Sequence, residues 1–591
     1  MSISEQEKQE KQMAEAEELL GDKLAQIGFA KALYFGKYAA AALPAYPDVL
    51  ADEEVNALVA KLRTFCDEKI DPDKIDRDAR IPDDVVRGLG ELGVLGACMP
   101  KSCGGLGLSQ VAYCRLIKVL GSHCGGTALF VNAHHSIGPR SLVLFGTPEQ
   151  QEQWLPKLTT GEWLSAFALT EPNAGSDAGN VQTMATPKED GSGFVLNGDK
   201  RWITNGGGAQ MLTVMARTPV EGSSDTKVTA FIVTPDMPGF EVTEERMEKV
   251  GVRGTMTSRL AFNDMFVPTE NILGKRGSGL KVALTVLDFG RTTFGASCTG
   301  AASFLIEKAT AHCNDRVQFE KTLGEFEMVK KKLAYMHAGT YAMEAATFQT
   351  AALIDAGEGD YMIETAVLKV FSTEVLWNIL NDTIQIFGGR AYFTDEPYER
   401  MMRDARINTI GEGANDVMRA FVALVGMRDV GLELKGVVDA LLSPLGNFHK
   451  IRGFAGRKLS SLVSSPTPEV KHAELQDDAV RIGRLIGSFA ANVERLLRKY
   501  REAILDRQYH QERIADSLTE LYVSVCVLQR FDQLLSDPNK TPEQRQDELE
   551  TGRYYLKGAA RRIRRNLAAL WDNDDDATTQ LADRKLKQSK E

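Results

Sequence analysis

Glu412 is the residue of this sequence whose surroundings best suit proton transfer. It lies between two glycines in the stretch RDARINTIGEGANDVMR, residues 403–419, just before a helical pattern. A carboxylate on such a flexible turn can reach a bound substrate and act as a general base. The same stretch could instead begin a helix, with Glu412 near the positive end of the helix dipole and Asn415 or Asp416 as its cap. Taken alone, the stretch leaves both interpretations open.

Three further stretches have side chains or glycines that suit a ligand. LTEPNAGSD, residues 169–177, is dense in hydroxyl and backbone N–H donors, which suit an anionic or carbonyl-rich ligand. In WITNG, residues 202–206, alternation along a strand places Trp202 and Thr204 on one face, where an indole can cover a planar heterocycle. QIFGGR, residues 385–390, ends a helical pattern with two glycines that permit close approach of a pyrophosphate. An ordinary capped loop, a core tryptophan and a plain helix C-cap are the respective alternatives.

Composition excludes several classes of function. The 591 residues carry a formal net charge of −11, which argues against a nucleic-acid-binding surface. Eight cysteines without a CxxC pair and eight histidines without HExxH favour reduced thiols and no metal site. The absence of GxGxxG and of a P-loop excludes a Rossmann-type or Walker-type nucleotide site.

The amino-terminal stretch predicts a cytoplasmic protein. MSISEQEKQEKQMAEAEELL is charged and acidic, unlike a signal or transit peptide, and no apolar run approaches 18 residues. Residues 28–43 are apolar with two lysines, so they either lie on the inner face of a membrane or pack against the rest of the protein.

Hydrophobic periodicity predicts a mainly α-helical protein with an inserted small antiparallel β domain. After an N-terminal extension (1–50), an α-helical domain covers 51–165 and short β-type runs cover 166–277, with Asn-Gly-Asp-Lys at 197–200 as a hairpin turn. Regularly spaced strands of this kind suggest a barrel or sandwich. Four long helical segments in 278–432 have lengths that fit a four-helix bundle, and their small-residue face includes Gly295, Ala296, Gly300 and Ala301.

Residues 433–591 are predicted to form a helical C-terminal extension. Loop signals at 443–470 mark a boundary, three amphipathic helices follow, and residues 573–591 are polar enough to predict disorder. The last helix carries a basic face between Lys557 and Arg565. That face is either solvated or contacts anionic lipid or a partner.

Taken together, the order of these stretches resembles the acyl-CoA dehydrogenase family of flavoproteins. The resemblance runs over residues 50–432 and rests on LTEPNAGSD, WITNG, DRVQF (315–319), QIFGGR and the Glu412 stretch. Length and the helical extension look most like the very-long-chain branch, which includes a paralogue that assists the assembly of respiratory complex I.

The resemblance implies FAD bound between the β domain and the C-terminal bundle. Trp202 and Thr204 would cover the flavin, and Arg316 with Phe319 would reach the pyrophosphate of a neighbouring subunit's FAD. Gln385 and Gly389 would hold the adenosine half. The full set of implied cofactor-binding residues is Thr170, Ser176, Trp202, Thr204, Arg316, Phe319, Gln385, Gly389, Ala414 and Asp416.

The resemblance also assigns Glu412 as the catalytic base. Glu412 would remove the α-proton of an acyl-CoA thioester while the β-hydrogen leaves as hydride, giving a trans-2-enoyl-CoA in the first step of β-oxidation. The electrons would pass to an electron-transfer flavoprotein, and the protein would be a homodimer. The implied substrate-binding residues are Ser176, Asp288, Arg291, Gly411 and Gly413.

Several residues depart from the family pattern. Gly411 replaces the usual aromatic residue before the base, and Ala414 replaces a threonine that contacts the flavin. Glu320 and Glu327 replace a glycine and a glutamine near the FAD of a neighbouring subunit. Ala128 and Asn132 stand where the very-long-chain branch has glycines at the pocket floor, which favours long-chain rather than very-long-chain substrates.

Two alternatives to this enzyme remain. One is a flavoprotein whose main role is that of a scaffold, like the complex I assembly paralogue. The other is a relative that binds DNA or uses oxygen as oxidant; the acidic charge weighs against DNA.

Overall fold

A computed structural model describes residues 27–220, 222, 225–357, 360–442 and 466–589. The acidic amino-terminal stretch and most of the predicted boundary at 443–470 lie outside these residues. Among the described helices, none combines the length and apolar character that a membrane-spanning segment needs.

The first part of the chain, before the sheet, is helical. Its helices are α1 (Phe29–Tyr34), α2 (Glu53–Lys69), α3 (Pro72–Asp78), α4 (Asp83–Glu91), α5 (Gln110–His123), α6 (Gly125–His135), α7 (Pro139–Phe145) and α8 (Pro148–Thr160). Local signals fix their ends: α8 begins with a capping box, in which the Thr147 and Gln150 side chains each bond the other's backbone N–H.

A sheet of eight strands follows the helices. The strands are β1 (Ser165–Ala168), β2 (Met184–Pro187), β3 (Gly193–Thr204), β4 (Met211–Pro219), β5 (Thr226–Val233), β6 (Phe240–Glu244), β7 (Thr257–Pro268) and β8 (Ile272–Leu273). The spatial order is β6-β7-β3-β2-β4-β5-β8, and β1 pairs with β4. The fold class is confirmed, but the sheet is mixed rather than wholly antiparallel, because β1 and β2 both run parallel to β4.

The predicted hairpin turn at 197–200 is wrong. β3 runs through it without reversing and pairs with β7 on both sides, with a bulge between Leu196 and Gly198. A Cβ at Gly198 would lie 2.6 Å from the Thr183 hydroxyl, so the glycine serves close packing between neighbouring backbones. Pairing along the whole strand therefore overrides the local turn signal.

The remainder of the chain is again mainly helical. It contains α9 (Gly279–Asp315), β9 (Val317–Gln318), β10 (Lys321–Thr322), α10 (Glu327–Asp355), α11 (Met362–Phe387), α12 (Tyr398–Arg406), α13 (Asn415–Leu442), α14 (Gln476–Tyr500), α15 (Gln508–Ser536), α16 (Pro542–Ala569) and α17 (Asp575–Gln588). Each of the four long segments expected within 278–432 is helical.

The described chain divides into two compact units. Of the described residues, the first unit comprises those within 47–357 and 371–414, and the second comprises 27–46, 360–370, 415–442 and 466–589. In the first unit, α9 packs closely on α5: a Cβ at Gly300 would lie 2.0 Å from the Lys118 carbonyl, and one at Gly121 would lie 2.5 Å from the Ser297 carbonyl. The predicted small-residue face therefore lets the two helices approach, which fixes the helix that supports the candidate site.

In the second unit, the apolar segment near the amino terminus is buried. Phe29, Leu33 and Tyr34 are almost fully inaccessible, and the Tyr34 hydroxyl donates to the Val422 carbonyl on α13 at 2.7 Å. Of the two alternatives for residues 28–43, packing against the protein is therefore confirmed for this helix.

The prediction of disorder for residues 573–591 is wrong for the described part, which forms α17. Asp575 and Asp576 in its first turn and Lys585 and Lys587 in its last suit the helix dipole. Asp575 also accepts two hydrogen bonds from Arg513, at 2.6 and 2.7 Å, which hold the start of α17 against α15.

Candidate active site

The turn that carries Glu412 connects α12 to α13 and has an unusual backbone. Glu412 has φ +55° and Gly413 has φ +98°. The left-handed region costs a glutamate about 1 kcal/mol or more, and such strain is concentrated at functional sites. A Cβ built at Gly411 would lie at an ordinary contact distance from Ile407, 3.6 Å from its carbonyl oxygen. The turn therefore holds Glu412 on strained backbone between two glycines.

The Glu412 carboxylate lies against α6 and α9. Its Oε1 accepts a hydrogen bond from the Asn132 amide at 3.2 Å. A Cβ at Gly290 would lie 2.3 Å from Oε2, so a side chain at 290 would displace the carboxylate. Gly290 thus provides the space that the carboxylate occupies.

Two of the predicted substrate residues lie beside this turn. Arg291 and Asp288 form a buried ion pair on α9, with Nη1 and Oδ1 3.1 Å apart. The Arg291 Nε donates to the Glu412 carbonyl at 3.4 Å. A buried guanidinium therefore bonds to the backbone of the turn; contact between Arg291 and a CoA adenine stays a prediction.

A cavity lies next to the residues that hold the Glu412 carboxylate. Asn132 and Thr293, which hydrogen-bond to each other, form part of its wall. Most of the remaining wall is apolar and comes from α5, α6, α9 and α11, including Ile117, Ala128, Leu129, Phe294, Leu376 and Leu380. A cavity of this character suits a hydrocarbon chain.

One ionisable group also lines the cavity. Asp404 on α12 is buried and accepts a hydrogen bond from the Val252 N–H at 2.5 Å. Burial raises the pKa of Asp404 to about 6. Arg400 lies 3.9 Å from the same carboxyl group.

On the sheet, Trp202 lies in an irregularity of β3 between Lys200 and Ile203, and Thr204 ends the strand; their common face stays a prediction. Trp202 is 51% exposed with φ +61°, Thr204 is half-buried, and Ile203 between them is buried. An indole left this open, on strained backbone, fits a planar ring system that would cover it. Thr170 lies in the loop after β1, where its carbonyl accepts from the Arg201 N–H at 2.9 Å, and Ser176 is exposed further along that loop.

A second group of predicted cofactor residues surrounds a small hairpin. β9 and β10 are joined by Phe319 and Glu320, which have φ +53° and +66°. Phe319 is 89% exposed, and Arg316 is exposed at the end of α9.

The end of α11 lies near that hairpin. His312 on α9 stacks on Phe387 with ring centroids 4.2 Å apart, which brings the two segments together. Gln385 and Gly389 are exposed, and nothing lies within 4 Å of a Cβ built at Gly389. This exposed aromatic and basic surface fits the dinucleotide part of a flavin cofactor.

The last two predicted cofactor residues follow the Glu412 turn. Ala414 is half-buried at the end of the first unit. Asp416 is exposed in the first turn of α13 and belongs to the second unit.

Two contacts of the Glu412 carboxylate were not predictable from the sequence. Asn132 stands out in the sequence only as a residue of the pocket floor, and Gly290 does not stand out at all. The available signal was one polar amide in the otherwise small and apolar run ALFVNA. Thr293 gave no signal of its own.

Comparison with known proteins identifies the class of this chain. Family models match three consecutive parts of the chain: the acyl-CoA dehydrogenase N-terminal domain at 52–162, the middle domain at 166–265 and the C-terminal domain at 277–426. A fourth, the ACAD9/ACADV C-terminal domain, matches 473–589.

Several known proteins are similar to this chain over nearly its whole length. The mitochondrial very long-chain specific acyl-CoA dehydrogenase of Mus musculus is 37% identical over 554 residues, covering 92% of this chain and 84% of its own. A probable acyl-CoA dehydrogenase of Mycobacterium tuberculosis, FadE10, is 33% identical over 94% of this chain and 87% of its own. An acyl-CoA dehydrogenase from Bacillus anthracis, solved with FAD, superposes with a TM-score of 0.77 at 27% identity, covering 95% of this chain and 94% of that one.

The chain belongs to the acyl-CoA dehydrogenase family. It is therefore an oxidoreductase that acts on CH–CH bonds of acyl-CoA thioesters, and its cofactor is FAD.

Proposed function

We propose that this enzyme dehydrogenates long-chain acyl-CoA thioesters to trans-2-enoyl-CoA, with Glu412 as the catalytic base. The observation that carries the proposal is the position of the Glu412 carboxylate, which Asn132 holds beside a largely apolar cavity. A proton acceptor whose hydrogen-bond partner lines a largely apolar cavity suits removal of a proton next to a thioester.

The protein contributes position and electrostatics to this reaction. Bound FAD supplies the hydride acceptor for the β-hydrogen. The Glu412 carboxylate takes the α-proton. The backbone N–H of Glu412 donates a hydrogen bond to the thioester oxygen as negative charge develops there. The ion pair of Asp288 and Arg291 fixes the carbonyl end of residue 412, so the turn keeps its direction.

The preference for long chains rests on the cavity wall. Ala128 and Asn132, one helical turn apart on α6, both line the cavity and add side-chain volume at its floor. The same wall is otherwise largely apolar over several helices, which suits a hydrocarbon chain. We therefore expect an optimum among long chains rather than very long ones.

The proposal includes two protein partners: an electron-transfer flavoprotein as electron acceptor and a second copy of this chain in a homodimer. Phe319 and Arg316 lie exposed on the hairpin where the family resemblance puts a neighbouring subunit's FAD.

On the second unit, Lys557, Arg561, Arg564 and Arg565 are exposed on one side of α16. We propose that this basic face makes peripheral contact with anionic lipid at the inner face of the cytoplasmic membrane.

A chain-length profile tests the proposal. Purified protein loaded with FAD is assayed with acyl-CoAs from butyryl to tetracosanoyl, using first a dye acceptor and then an electron-transfer flavoprotein. We expect the highest kcat/KM near palmitoyl-CoA and turnover with both acceptors. Absence of turnover at every chain length would refute the enzymatic role and favour the scaffold alternative.

A further inference from the structure

We propose that Asn132 is a positioning residue for the Glu412 carboxylate, and that Thr293 fixes the direction of the Asn132 amide. The inference rests on the proposed role of Glu412 as the base. It extends that role to two residues on other helices, which contact the base carboxylate directly or through one hydrogen bond.

The three side chains form a short hydrogen-bonded chain. Asn132, only 4% exposed on α6, donates from Nδ2 to Glu412 Oε1 at 3.2 Å. The hydroxyl of Thr293 on α9, which is almost fully buried, lies within hydrogen-bond distance of two acceptors, Asn132 Oδ1 and the Gly290 carbonyl at 2.7 Å, and its single proton is shared between them. Thr293 lies one helical turn beyond Gly290, the residue that makes room for the carboxylate.

The direction of the amide follows from the chemistry of its neighbours. An ionised carboxylate can only accept hydrogen bonds, so the NH2 group of Asn132 must face Glu412. The reversed amide would place two oxygens against each other and leave a buried repulsive contact. In this orientation Asn132 Oδ1 faces the Thr293 hydroxyl and accepts its proton.

The charged groups around Glu412 leave this role to Asn132. Arg291 on α9 is directed to the Glu412 carbonyl and pairs with Asp288. Asp404 on α12 lines the same cavity and is bonded to the Val252 N–H, with Arg400 beside it. Each of these charges therefore has a structural partner, whereas Asn132 points its donor at the carboxylate itself.

The function of this donor is to keep the base ionised and aimed when substrate binds. An acyl chain that fills the cavity excludes water, and loss of water disfavours a charged carboxylate. A fixed amide donor opposes that effect, because a hydrogen bond to the charged form favours it. Asn132 would thus replace the water that the substrate removes.

The test compares variants of the FAD-loaded full-length protein by the pH profile of kcat/KM. Asn132→Leu keeps the branched outline of the side chain, at a somewhat larger volume, and removes the donor. We expect the acid limb of its profile to move up by about one pH unit and kcat at neutral pH to fall roughly tenfold or more. Difference infrared spectroscopy follows the carboxyl stretch of Glu412 as a function of pH, with Glu412→Gln as the blank. In protein that is not turning over, it should show the same upward shift in pH for Asn132→Leu.

Three further variants separate positioning from packing. Thr293→Val should shift the profile in the same direction by a smaller amount, and Thr293→Ser, which keeps the hydroxyl, should restore the wild-type position. Ala128→Leu lines the cavity without touching Glu412, so it should change KM with chain length and leave the acid limb in place. The Thr293 pair keeps the test valid if Asn132→Leu does not fold.

The outcomes are distinct. If Asn132→Leu and Thr293→Val change only KM with chain length and leave both the pH profile and the infrared titration unmoved, Asn132 is part of the cavity wall and the inference is wrong. If Glu412→Gln keeps its activity, the proposed base itself is wrong, whatever the Asn132 variants do.

Discussion

At the scale of single residues, the Glu412 carboxylate depends on a glycine. Gly290 is buried in the interior of α9, where glycine is less favourable than alanine for the helix by about 1 kcal/mol. A Cβ at this position would lie 2.3 Å from Oε2 of Glu412. Glycine at position 290 therefore lowers the intrinsic stability of α9 and leaves the space that the Glu412 carboxylate occupies.

This contact predicts that Gly290→Ala lowers activity strongly but leaves stability nearly unchanged. The methyl group should push the carboxylate aside and lower kcat about a hundredfold, because misplaced catalytic groups lose rate steeply. The thermal midpoint should stay within a few degrees of wild type, since alanine favours the helix. Steady-state kinetics and thermal unfolding check both effects.

Gly431→Ala on α13 is the matched control, because nothing lies within 4 Å of a Cβ built there. It should keep wild-type kcat. Wild-type activity in Gly290→Ala would show that the carboxylate has more freedom than the structure indicates.

The sequence was sufficient to single out Glu412 but not its neighbours. A carboxylate between two glycines, together with the other family stretches, is visible along the chain. The contact with Asn132 joins residues 280 positions apart, and nothing in the local pattern of either stretch predicts it. The wider pocket expected beside Gly411 stays a prediction.

At the scale of secondary-structure elements, a buried ion pair joins the LTEPNAGSD loop to β3. The Lys200 ammonium lies 2.6 Å from Glu171 Oε1, and both side chains are almost fully buried. Although burial alone raises the pKa of Glu171, the Lys200 charge and the hydrogen bonds from Thr183 and Gln182 hold that pKa below its usual value. This pair fixes the loop that carries two of the predicted cofactor residues.

Removal of either partner should destabilise the protein to different extents. In Lys200→Met, Glu171 keeps three donors, two from Thr183 and one from Gln182. In Glu171→Leu, the remaining hydrogen-bond partner of Lys200 is the Leu169 carbonyl at 3.1 Å. A buried charge without its counterion costs about 3–5 kcal/mol, so we expect Glu171→Leu to lower the free energy of unfolding more than Lys200→Met.

Urea unfolding of the two single variants and of the double variant Glu171→Leu with Lys200→Met checks this order. The double variant should be less destabilised than the sum of the single variants, because it leaves no isolated charge. Equal losses in the single variants, with simple additivity in the double variant, would contradict the account.

The same pair illustrates why the hairpin prediction failed. Asn-Gly-Asp-Lys has the composition of a turn. However, the Lys200 ammonium donates a hydrogen bond to the buried Glu171 carboxylate, and β3 continues beside β7. A tertiary contact thus decides the conformation of a segment whose local signal is for reversal.

A second buried carboxyl group, on α11, should make stability depend on pH. Burial raises the pKa of Glu364 to about 8, and its Oε1 accepts from the Ala30 N–H at 2.7 Å. Between about pH 4.5 and 8 the folded state therefore binds a proton that the unfolded state releases. The contribution of this group to stability is complete below that window and is lost as the pH rises towards 8.

Glu364→Gln, which cannot ionise, should become more stable relative to wild type as the pH rises, by up to about 1.4 kcal/mol per pH unit. Denaturant unfolding at pH 5.5, 6.5 and 7.5 measures this difference. The exposed Glu91→Gln provides the control and should keep a constant offset from wild type. A constant offset for Glu364→Gln as well would show that Glu364 is ionised in the folded protein.

At the scale of the whole molecule, the order of segments along the chain was predictable because each has its own periodicity. A helical pattern, a β pattern and a second helical pattern follow one another. The five stretches that carry the family resemblance occur at matching positions along them. The extent of β3, the parallel pairings of β1 and β2 and the helix α17 were not predictable, because long-range pairing or a distant ion pair fixes each of them.

The division into two compact units also lay beyond the sequence pattern. Residues 27–46 and 360–370 join the C-terminal helices in the second unit, although they are far from them along the chain. The Lys31 ammonium and the Asp360 carboxylate, 2.6 Å apart and almost fully buried, are one contact that joins these two segments.

The central claim is that Glu412 removes the α-proton, and a single-turnover measurement tests it most directly. FAD-loaded wild-type protein and Glu412→Gln are mixed with excess palmitoyl-CoA without an electron acceptor, and bleaching of the flavin absorbance is followed. The amide keeps the shape of the side chain but cannot accept the proton, so we predict palmitoyl-CoA binding within about threefold of wild type and flavin reduction slower by about 10⁴-fold or more. Flavin reduction in Glu412→Gln within tenfold of the wild-type rate would contradict the account.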